Sequence, residues 1–191
     1  MKNKLKNNIV KRIEVLSSFD DIFFTTIENT VLLLKDTLKE NKILIYGNGG
    51  SATQSSHFAA ELVNRFYKDR VALNAIALTT DIANITSIAN DYNYTSIFSR
   101  QVEAIGNKND VSIGITTSGK SENVIKGLKV SKEKGLKTIA LCGNHTKPLK
   151  DINTDIIISV NNLDTPIIQE IHIFILHFIA EQLEELIFDD K

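Results

Sequence analysis

The amino-acid sequence predicts an α/β fold of the flavodoxin-like type, a doubly wound sheet of five parallel strands covered by helices. Two observations lead to this prediction. Short apolar runs alternate along the chain with longer segments whose apolar residues recur at helical spacing. Each short run is apolar on both faces of a strand, so helices must cover the sheet on both sides, as they do in parallel sheets.

Two helices are predicted ahead of the first strand. Residues 8–19 and 22–40 carry apolar side chains at helical spacing, and the second helix ends at Asn41. The segment KILIYGNGGS follows as a buried strand that leads into a glycine-rich turn, and SATQSSHFAAELVNRFY has the spacing of a helix. The chain therefore begins with a helical pair and a strand–turn–helix unit.

The rest of the chain repeats this alternation. The later strands are ALNAIAL, DVSIGITTSGKS, LKTIALCGN and TDIIISV, and the helices are DIANITSIAN, NYTSIFSRQVEAIG, ENVIKGLKVSKEKG and DTPIIQEIHIFILHFIAEQLEEL. The long last helix has Pro166 in its first turn. It is apolar almost all round, which predicts burial against other helices, most simply in an oligomer.

Length and composition predict one domain over residues 1–191. It consists of N-terminal helices at 1–40, which we expect to pack in the oligomer, and an α/β core with the last helix at 41–191. The net charge is −1 without a basic block, so nucleic acid is not an expected partner. The single cysteine, Cys142, excludes an intramolecular disulfide and fits a reducing compartment. Since no apolar run is long enough for a signal or a membrane span, we expect a cytoplasmic protein without membrane contact.

Two polar turns follow predicted strands and lead directly into helices. One is Gly47–Ser51, and the other is Thr116–Ser121, which holds four hydroxyl side chains. Helix N-termini favour anions, and hydroxyls together with backbone N–H groups can surround a phosphate. The alternative is that these hydroxyls are N-caps, although four clustered ones favour phosphate. Neither turn by itself is a GxxxxGK[ST] loop or a GxGxxG fingerprint. Residues 114–121, GITTSGKS, have the letters of the first motif, but Gly114 falls within the predicted strand and not in the turn. We therefore expect a small phosphorylated metabolite and no nucleotide.

Two pairs of polar residues lie on predicted helices. His57 and Glu61 are one turn apart on one face, about 6 Å along the axis, which suits a base with its partner or two metal ligands. Most such pairs on helices are simply solvated. Gln169 and His177 on the apolar last helix are about 80° around and about 12 Å along the axis from each other. They need partners, in a structural hydrogen bond or in function, whereas His172 is interpreted as a structural residue at a wet edge.

These segments, taken in order, resemble one known family. GNGGS, HFAAEL, IAND, TTSGKSENVIK, and QEIH with a histidine five residues later resemble the phosphoheptose isomerases, members of the sugar isomerase (SIS) domain superfamily. The resemblance covers nearly the whole chain. It implies a SIS fold, a homotetramer with active sites between subunits, and conversion of sedoheptulose 7-phosphate to D-glycero-D-manno-heptose 7-phosphate, the entry to bacterial ADP- or GDP-heptose biosynthesis.

The resemblance also implies roles for individual residues. Glu61 matches the family's general base and His177 its general acid. The substrate-binding positions are matched by Asn48, Gly49, Gly50, Ser51, Asn90, Asp91, Thr116, Thr117, Ser118, Ser121 and Gln169. Some members hold zinc, and the matching ligands are His57, Glu61, Gln169 and His177. One zinc ion per subunit is therefore expected, although the rise of about 12 Å between Gln169 and His177 works against their convergence.

The implied reaction accounts for these residue types. Aldose–ketose interconversion needs a base that moves a proton between C1 and C2 through an enediolate, and an acid that protonates oxygens. A carboxylate is a weak base in water, so it needs burial or a metal that polarises the substrate carbonyl.

Three positions depart from the family's pattern. Thr116 stands where serine is common, so a methyl group narrows the pocket. Ile167 stands where arginine is common, so a charge near the site is missing and the substrate preference is open. The stretch GNHTKPLKD after Cys142 lacks a usual glycine pair, a change that we expect to affect a surface loop and not the chemistry.

Two other functions stay open. One is a non-catalytic SIS protein that binds a partner, like the relatives associated with the bacterial replication initiator. Those relatives lack the glutamate at the position of the base, so Glu61 together with His177 favours an enzyme. The other is an isomerase of a different ketose phosphate. Whether a heptose product would serve lipopolysaccharide, a capsule or a glycoprotein does not follow from the sequence.

Overall fold

Helices and strands alternate along the chain after an N-terminal helical pair, in a computed structural model that describes residues 1–189. The elements are α1 (Lys2–Ser17), α2 (Asp21–Thr37), β1 (Ile43–Gly47), α3 (Gly50–Val63), β2 (Ala75–Ala77), α4 (Ile82–Asp91), α5 (Ser99–Ile105), β3 (Val111–Thr116), α6 (Glu122–Glu133), β4 (Lys137–Cys142), α7 (Lys147–Asp151), β5 (Ile156–Ser159) and α8 (Thr165–Phe188). A 3₁₀ turn, Tyr94–Ser96, joins α4 to α5.

The sheet has the strand order β2-β1-β3-β4-β5, and all neighbouring strands are parallel. From β1 the chain adds β2 on one side and then crosses to place β3 on the other side. This is the order of the flavodoxin-like doubly wound fold. The predicted fold class is therefore confirmed, including the long C-terminal helix.

The sheet separates two apolar cores. Along β1 the side chains alternate, so Ile43 and Ile45 face one core and Leu44 and Tyr46 face the other. Residues of α2, α3 and α8 complete the first core, and residues of α5 and α6 complete the second. All five residues of β1 are buried, which is why its sequence is uninterrupted in apolar character.

Two helix boundaries and one additional helix depart from the prediction for identifiable reasons. Helix α1 begins at Lys2, because its polar first half is helical although it shows no apolar period. Helix α3 ends at Val63, before the expected end at Tyr67, because the Arg70 guanidinium takes over its last carbonyls, donating to Glu61 O and Leu62 O at 2.8 Å. Helix α7 was not predicted, since five residues are too few to show a period.

Helix α8 spans 24 residues, with Pro166 in its first turn as predicted. One side of it is buried in the first core, whereas the Phe174 and Phe178 side chains on the other side are 54% and 42% exposed in the single chain. Within residues 1–189, the length and apolarity needed to cross a bilayer are not found together in α8 or in any other helix.

Candidate active site

The two polar turns of the sequence lie side by side at the carboxyl edge of the sheet. Gly47 at the end of β1 is in register with Ile115 of β3, so Gly47–Ser51 and Thr116–Ser121 leave neighbouring strands. The strand order also reverses here, because β2 and β3 flank β1 on opposite sides. Doubly wound sheets place their ligand crevice at this position.

The turn after β3 gathers hydroxyl groups. Thr116 Oγ1 donates to Ser121 Oγ at 2.9 Å and lies 3.5 Å from Ser118 Oγ. Ser121 occupies the N-cap position of α6, but its side chain makes no capping hydrogen bond. The N-cap alternative therefore does not account for Ser121. Three of the four hydroxyls instead meet at the N-terminus of α6, where an anion is favoured, and Thr117 follows Thr116 in the same turn.

The turn after β1 is shaped by Gly49 and Gly50. Gly49 has φ +55°, a left-handed conformation that favours glycine. A Cβ on Gly50 would lie 2.7–2.9 Å from the side-chain amide atoms of Gln169, so the absence of a side chain lets that amide lie over the first turn of α3. Ser51 beside them is buried. The structure thus brings Gln169 to the glycine turn.

Asn48 of the same turn is hydrogen-bonded to Asn123 at the start of α6 and to the Tyr94 hydroxyl. Asn90 and Asp91 lie at the exposed end of α4, just before Tyr94. The Asn90 amide donates to the Asp91 carboxylate at 2.8 Å. The pair thus sits on the segment that reaches Asn48 through Tyr94, with no hydrogen bond from either side chain to another predicted site residue within residues 1–189.

His57, Glu61 and His177 form one cluster between α3 and α8. His57 Nε2 lies 2.8 Å from His177 Nε2 and 3.2 Å from Glu61 Oε1. The Glu61 side chain is 22% exposed, so its carboxylate is reachable from solvent while partly shielded. The ring of Phe66 lies 5.7 Å from the His177 ring and forms an apolar wall beside it. The cluster places the predicted base and the predicted acid together.

The same cluster fits a divalent metal. The ligand atoms of the three residues all lie within 4.8 Å of one another, and two imidazole nitrogens with a carboxylate oxygen are a usual donor set for catalytic zinc. The two Nε2 atoms lie at hydrogen-bonding distance, so one of them must carry a proton between the rings. A metal cation can replace that proton. Gln169, the fourth predicted ligand, contacts Gly50, and its place in a zinc site stays a prediction.

Helices α3 and α8 run in the same direction and meet at several levels. At the start of α3, Gln54 Nε2 donates to Gln169 O at 2.6 Å, and farther along His57 meets His177. Beyond the end of α3, Arg70 pairs with Glu184, both side chains being 2% exposed. The cluster of His57, Glu61 and His177 depends on this register between the two helices.

His172 has a structural place, as the sequence indicated, but not at a wet edge. It is fully buried, and its Nε2–H donates to the carbonyl of Cys142 at 3.3 Å. Burial lowers the pKa of His172 to about 4, so the ring is neutral near pH 7.

The structure bears on two departures from the family's pattern and corrects the expectation for one of them. The loop after Cys142 supports the hydroxyl-rich turn, because Gly143 N–H donates to Thr117 O and the backbone of His145 packs directly on Gly119. It is therefore more than a surface loop. Ile167 is 2% exposed and packs in the first core. The position where arginine is common in the family thus holds an uncharged core residue in this chain.

Sequence reasoning missed Asn123, Tyr94, Arg70 and Glu184. Asn123 stands within the TTSGKSENVIK motif, but the pattern marks it only as the start of a helix. Arg70 and Glu184 are far apart in sequence, and their pairing depends on the packing of α8 beside α3. The available signal for Glu184 in the sequence was a charged residue within an otherwise apolar helix, which needs a partner when it is buried.

Comparisons with known proteins agree with this arrangement. The SIS domain family matches residues 11–143. The chain is 43% identical over 190 residues to the phosphoheptose isomerase of Thermodesulfovibrio yellowstonii, covering 99% of this chain and 94% of that protein. It is 44% identical over 183 residues to that of Helicobacter pylori, covering 95% of each.

The solved structures point the same way. The phosphoheptose isomerase of Neisseria gonorrhoeae superposes with a TM-score of 0.90 at 34% identity, covering 96% of this chain and 98% of that one. The sequence identity, the coverage and the shared fold lead to one conclusion. The chain belongs to the phosphoheptose isomerase family of SIS-domain isomerases.

Proposed function

We propose that the protein converts sedoheptulose 7-phosphate to D-glycero-D-manno-heptose 7-phosphate, with Glu61 as base and His177 as acid. The observation that carries the proposal is the meeting of these two side chains with His57, near a turn of clustered hydroxyls at the sheet edge. The relatives named as phosphoheptose isomerases support the same substrate. The product enters nucleotide-activated heptose synthesis in the cytoplasm, for lipopolysaccharide, capsule or glycoprotein.

The steps follow from the chemistry of the residues. The Glu61 carboxylate removes a proton from C1 of the ketose, and the electron pair forms the C1–C2 double bond of an enediolate. His177 gives a proton to the oxygen on C2 and later receives the proton from the oxygen on C1. Glu61 returns its proton to C2, which leaves the aldehyde at C1. Atoms and protons balance, since the reaction moves hydrogen within one molecule.

The hydroxyl-rich turn holds the phosphate in this proposal. Thr116, Ser118 and Ser121 offer hydroxyls at the positive end of α6, and Thr117 offers a fourth. Gly49 leaves open space for the sugar chain above α3, and Gly50 lets the Gln169 amide lie beside that space. Asn90, Asp91 and Gln169 add polar contacts. An isomerase acting on another ketose phosphate is the alternative, because the Thr116 methyl group narrows this pocket.

A zinc ion fits the cluster of His57, Glu61 and His177, with Gln169 as the predicted fourth ligand. When bound, such an ion supplies Lewis-acid polarisation of the substrate carbonyl. We expect zinc to raise the melting temperature of chelator-treated protein by several degrees, because the ion binds the folded state only. His57→Ala should abolish this shift, measured by differential scanning fluorimetry. The site would be ruled out by an equal shift in the variant.

The active enzyme is proposed to be a homotetramer whose subunits complete each other's sites. An apolar groove of about 490 Å³ lies between α2 and α8 and is lined by phenylalanines of both helices, with further exposed apolar residues on α1. Helices of another subunit are the expected cover for these surfaces, as the sequence predicted for residues 1–40.

The activity is tested by incubating the purified protein with sedoheptulose 7-phosphate and following formation of the aldose. Glu61→Gln and His177→Ala should each lower kcat by about 10²–10⁴-fold, the usual contribution of a positioned acid or base. Asn107→Ala, at the opposite edge of the sheet, is the control and should match the wild type. Turnover by the wild type no faster than by the two site variants would contradict the proposal.

A further inference from the structure

The side-chain amide of Asn48 joins three segments of the site. Its Nδ2 donates to Asn123 Oδ1 at 2.8 Å, and its Oδ1 accepts from Asn123 Nδ2 at 2.8 Å and from the Tyr94 hydroxyl at 2.9 Å. Asn123 lies two residues after Ser121, and Tyr94 three residues after Asp91. The glycine turn, the hydroxyl-rich turn and the end of α4 therefore meet at one residue.

A backbone group fixes the orientation of both amides. Val124 N–H donates to a side-chain atom of Asn123 at 2.9 Å, and because an N–H can only donate, that atom is the oxygen. The nitrogen of Asn123 must then face Asn48, and the atom that receives its hydrogen bond must be the Asn48 oxygen. The two amide–amide hydrogen bonds between Asn48 and Asn123 are therefore the arrangement that leaves Asn123 Oδ1 free to accept from Val124 N–H at the start of α6.

The two oxygens of the pair have no acceptor capacity left. Asn123 Oδ1 accepts from Val124 and Asn48, and Asn48 Oδ1 accepts from Asn123 and Tyr94, which uses both lone pairs of each atom. Each amide nitrogen keeps one free N–H. The Asn48 side chain can therefore donate to a substrate oxygen but cannot accept from a substrate hydroxyl.

We propose that Asn123 is a positioning residue, and that the Asn48–Asn123 pair is a clamp that sets the distance between the phosphate end and the sugar end of the site. The inference rests on the proposed function. Asn123 is 3% exposed, so it acts through Asn48 and not by touching substrate. A phosphosugar held at Thr116–Ser121 then presents its reacting carbons at a fixed place relative to the glycine turn.

Positioning of this kind affects the chemical step more than binding. The hydroxyls that would hold the phosphate stay in place when Asn123 is truncated, whereas the glycine turn loses its link to them. We expect Asn123→Ala to lower kcat about tenfold or more while KM changes less than about threefold, because misplacing the reacting groups costs rate. A role confined to folding would lower the melting temperature without this split.

A double-mutant cycle tests the clamp. The kcat values of Asn48→Ala, Asn123→Ala and the double variant are compared on sedoheptulose 7-phosphate. Asn107→Ala, at an exposed asparagine away from the site, is the control. Because Asn123 acts through Asn48, the double variant should be no slower than Asn48→Ala alone. Asn123→Asp keeps the acceptor for Val124 but sets an oxygen against Asn48 Oδ1, so it should reproduce the loss with α6 intact. The clamp would be overturned if the kcat losses of the two single variants multiplied in the double variant, or if Asn123→Ala kept the wild-type kcat.

A second measurement separates this inference from the proposed function. If the wild type leaves sedoheptulose 7-phosphate unchanged, the proposed function fails. The clamp is then tested by backbone hydrogen exchange in the presence of saturating inorganic phosphate. The clamp predicts that phosphate slows exchange at residues 49–51 in the wild type and much less in Asn123→Ala. Equal slowing in both proteins, or none in the wild type, would refute it.

Discussion

His172 and His177 are two histidines of one helix with opposite environments. His177 meets His57 in the accessible cluster, whereas His172 is fully buried and donates one hydrogen bond, to Cys142 O. The Nδ1 atom of His172 is buried without a partner, which is tolerable only while the ring is neutral. Five residues along α8 thus separate a structural histidine from one suited to acid–base chemistry.

Acid should destabilise the protein through His172. Burial lowers its pKa in the folded protein to about 4 from an ordinary 6.5, so its contribution to stability is complete above pH 6.5 and is lost as the pH falls toward 4. The loss amounts to about 3 kcal/mol for this one group. Urea unfolding between pH 7 and pH 4 should show His172→Gln losing less stability than the wild type by about this amount. Parallel pH profiles for the two proteins would disprove the assignment.

At the scale of elements, the contact between α3 and α8 ends in a buried ion pair. The Glu184 carboxylate accepts from the backbone N–H groups of Tyr67 and Lys68 at 2.7 and 2.8 Å, and Arg70 Nε lies 3.4 Å away. Arg70 in turn holds the last carbonyls of α3, including that of Glu61. The pair therefore fixes the end of α3 against α8, next to the proposed base.

Breaking this pair should lower stability more than removing both of its charges together. Glu184→Gln leaves the Arg70 charge buried with less compensation, so we expect the free energy of unfolding to fall by about 3–5 kcal/mol. Combining Arg70→Met with Glu184→Leu removes both charges but leaves the backbone groups that the two side chains bond without partners, so it should recover only part of that loss. The control is Asp151→Asn at an exposed pair with Lys147, which should change little. Chemical denaturation that finds Glu184→Gln as stable as the control would exclude this role.

At the scale of the whole molecule, the groove between α2 and α8 leaves apolar side chains uncovered in the single chain, as far as residues 1–189 describe it. The groove between α2 and α8 is walled by aromatic side chains, and Phe24, Phe174 and Phe178 remain 57%, 54% and 42% exposed. Phe19 and Phe23 stack at 3.7 Å at its end. A continuous aromatic surface of this kind is usually covered in the assembled protein.

Charge placed in this groove should dissociate the proposed tetramer. Phe174→Glu would bury an unpaired carboxylate in the interface, so sedimentation velocity should show smaller species at micromolar concentration. If the sites are shared between subunits, kcat should fall with dissociation. Ile105→Glu, which lies on the other side of the sheet, should leave the mass unchanged. An unaltered mass for Phe174→Glu would remove this surface from the assembly.

The fold could be predicted well from the sequence because strands that are buried on both faces are apolar at nearly every position. The run ILIYG is apolar throughout because β1 lies between two cores. The glycine turn after it indicates where the next helix begins. The partners of site residues were harder to predict. The spacing of His57 and Glu61 places them on one face, but nothing local shows that His177 lies opposite, because that depends on how α8 packs. The role of Asn123 was hidden for the same reason.

The parallel contact between α3 and α8 by itself sets the relative positions of Glu61 and His177, so these positions do not depend on the length of the loops between the two helices. Glu61 and His177 are placed by Gln54, His57 and Arg70 on one side and by Gln169 and Glu184 on the other. Loops at the far edge of the sheet, such as the one before β3, take no part in that placement. A shift of one residue within α8 would therefore separate the proposed acid from the proposed base, whereas a change in the length of such a loop would leave the two side chains together.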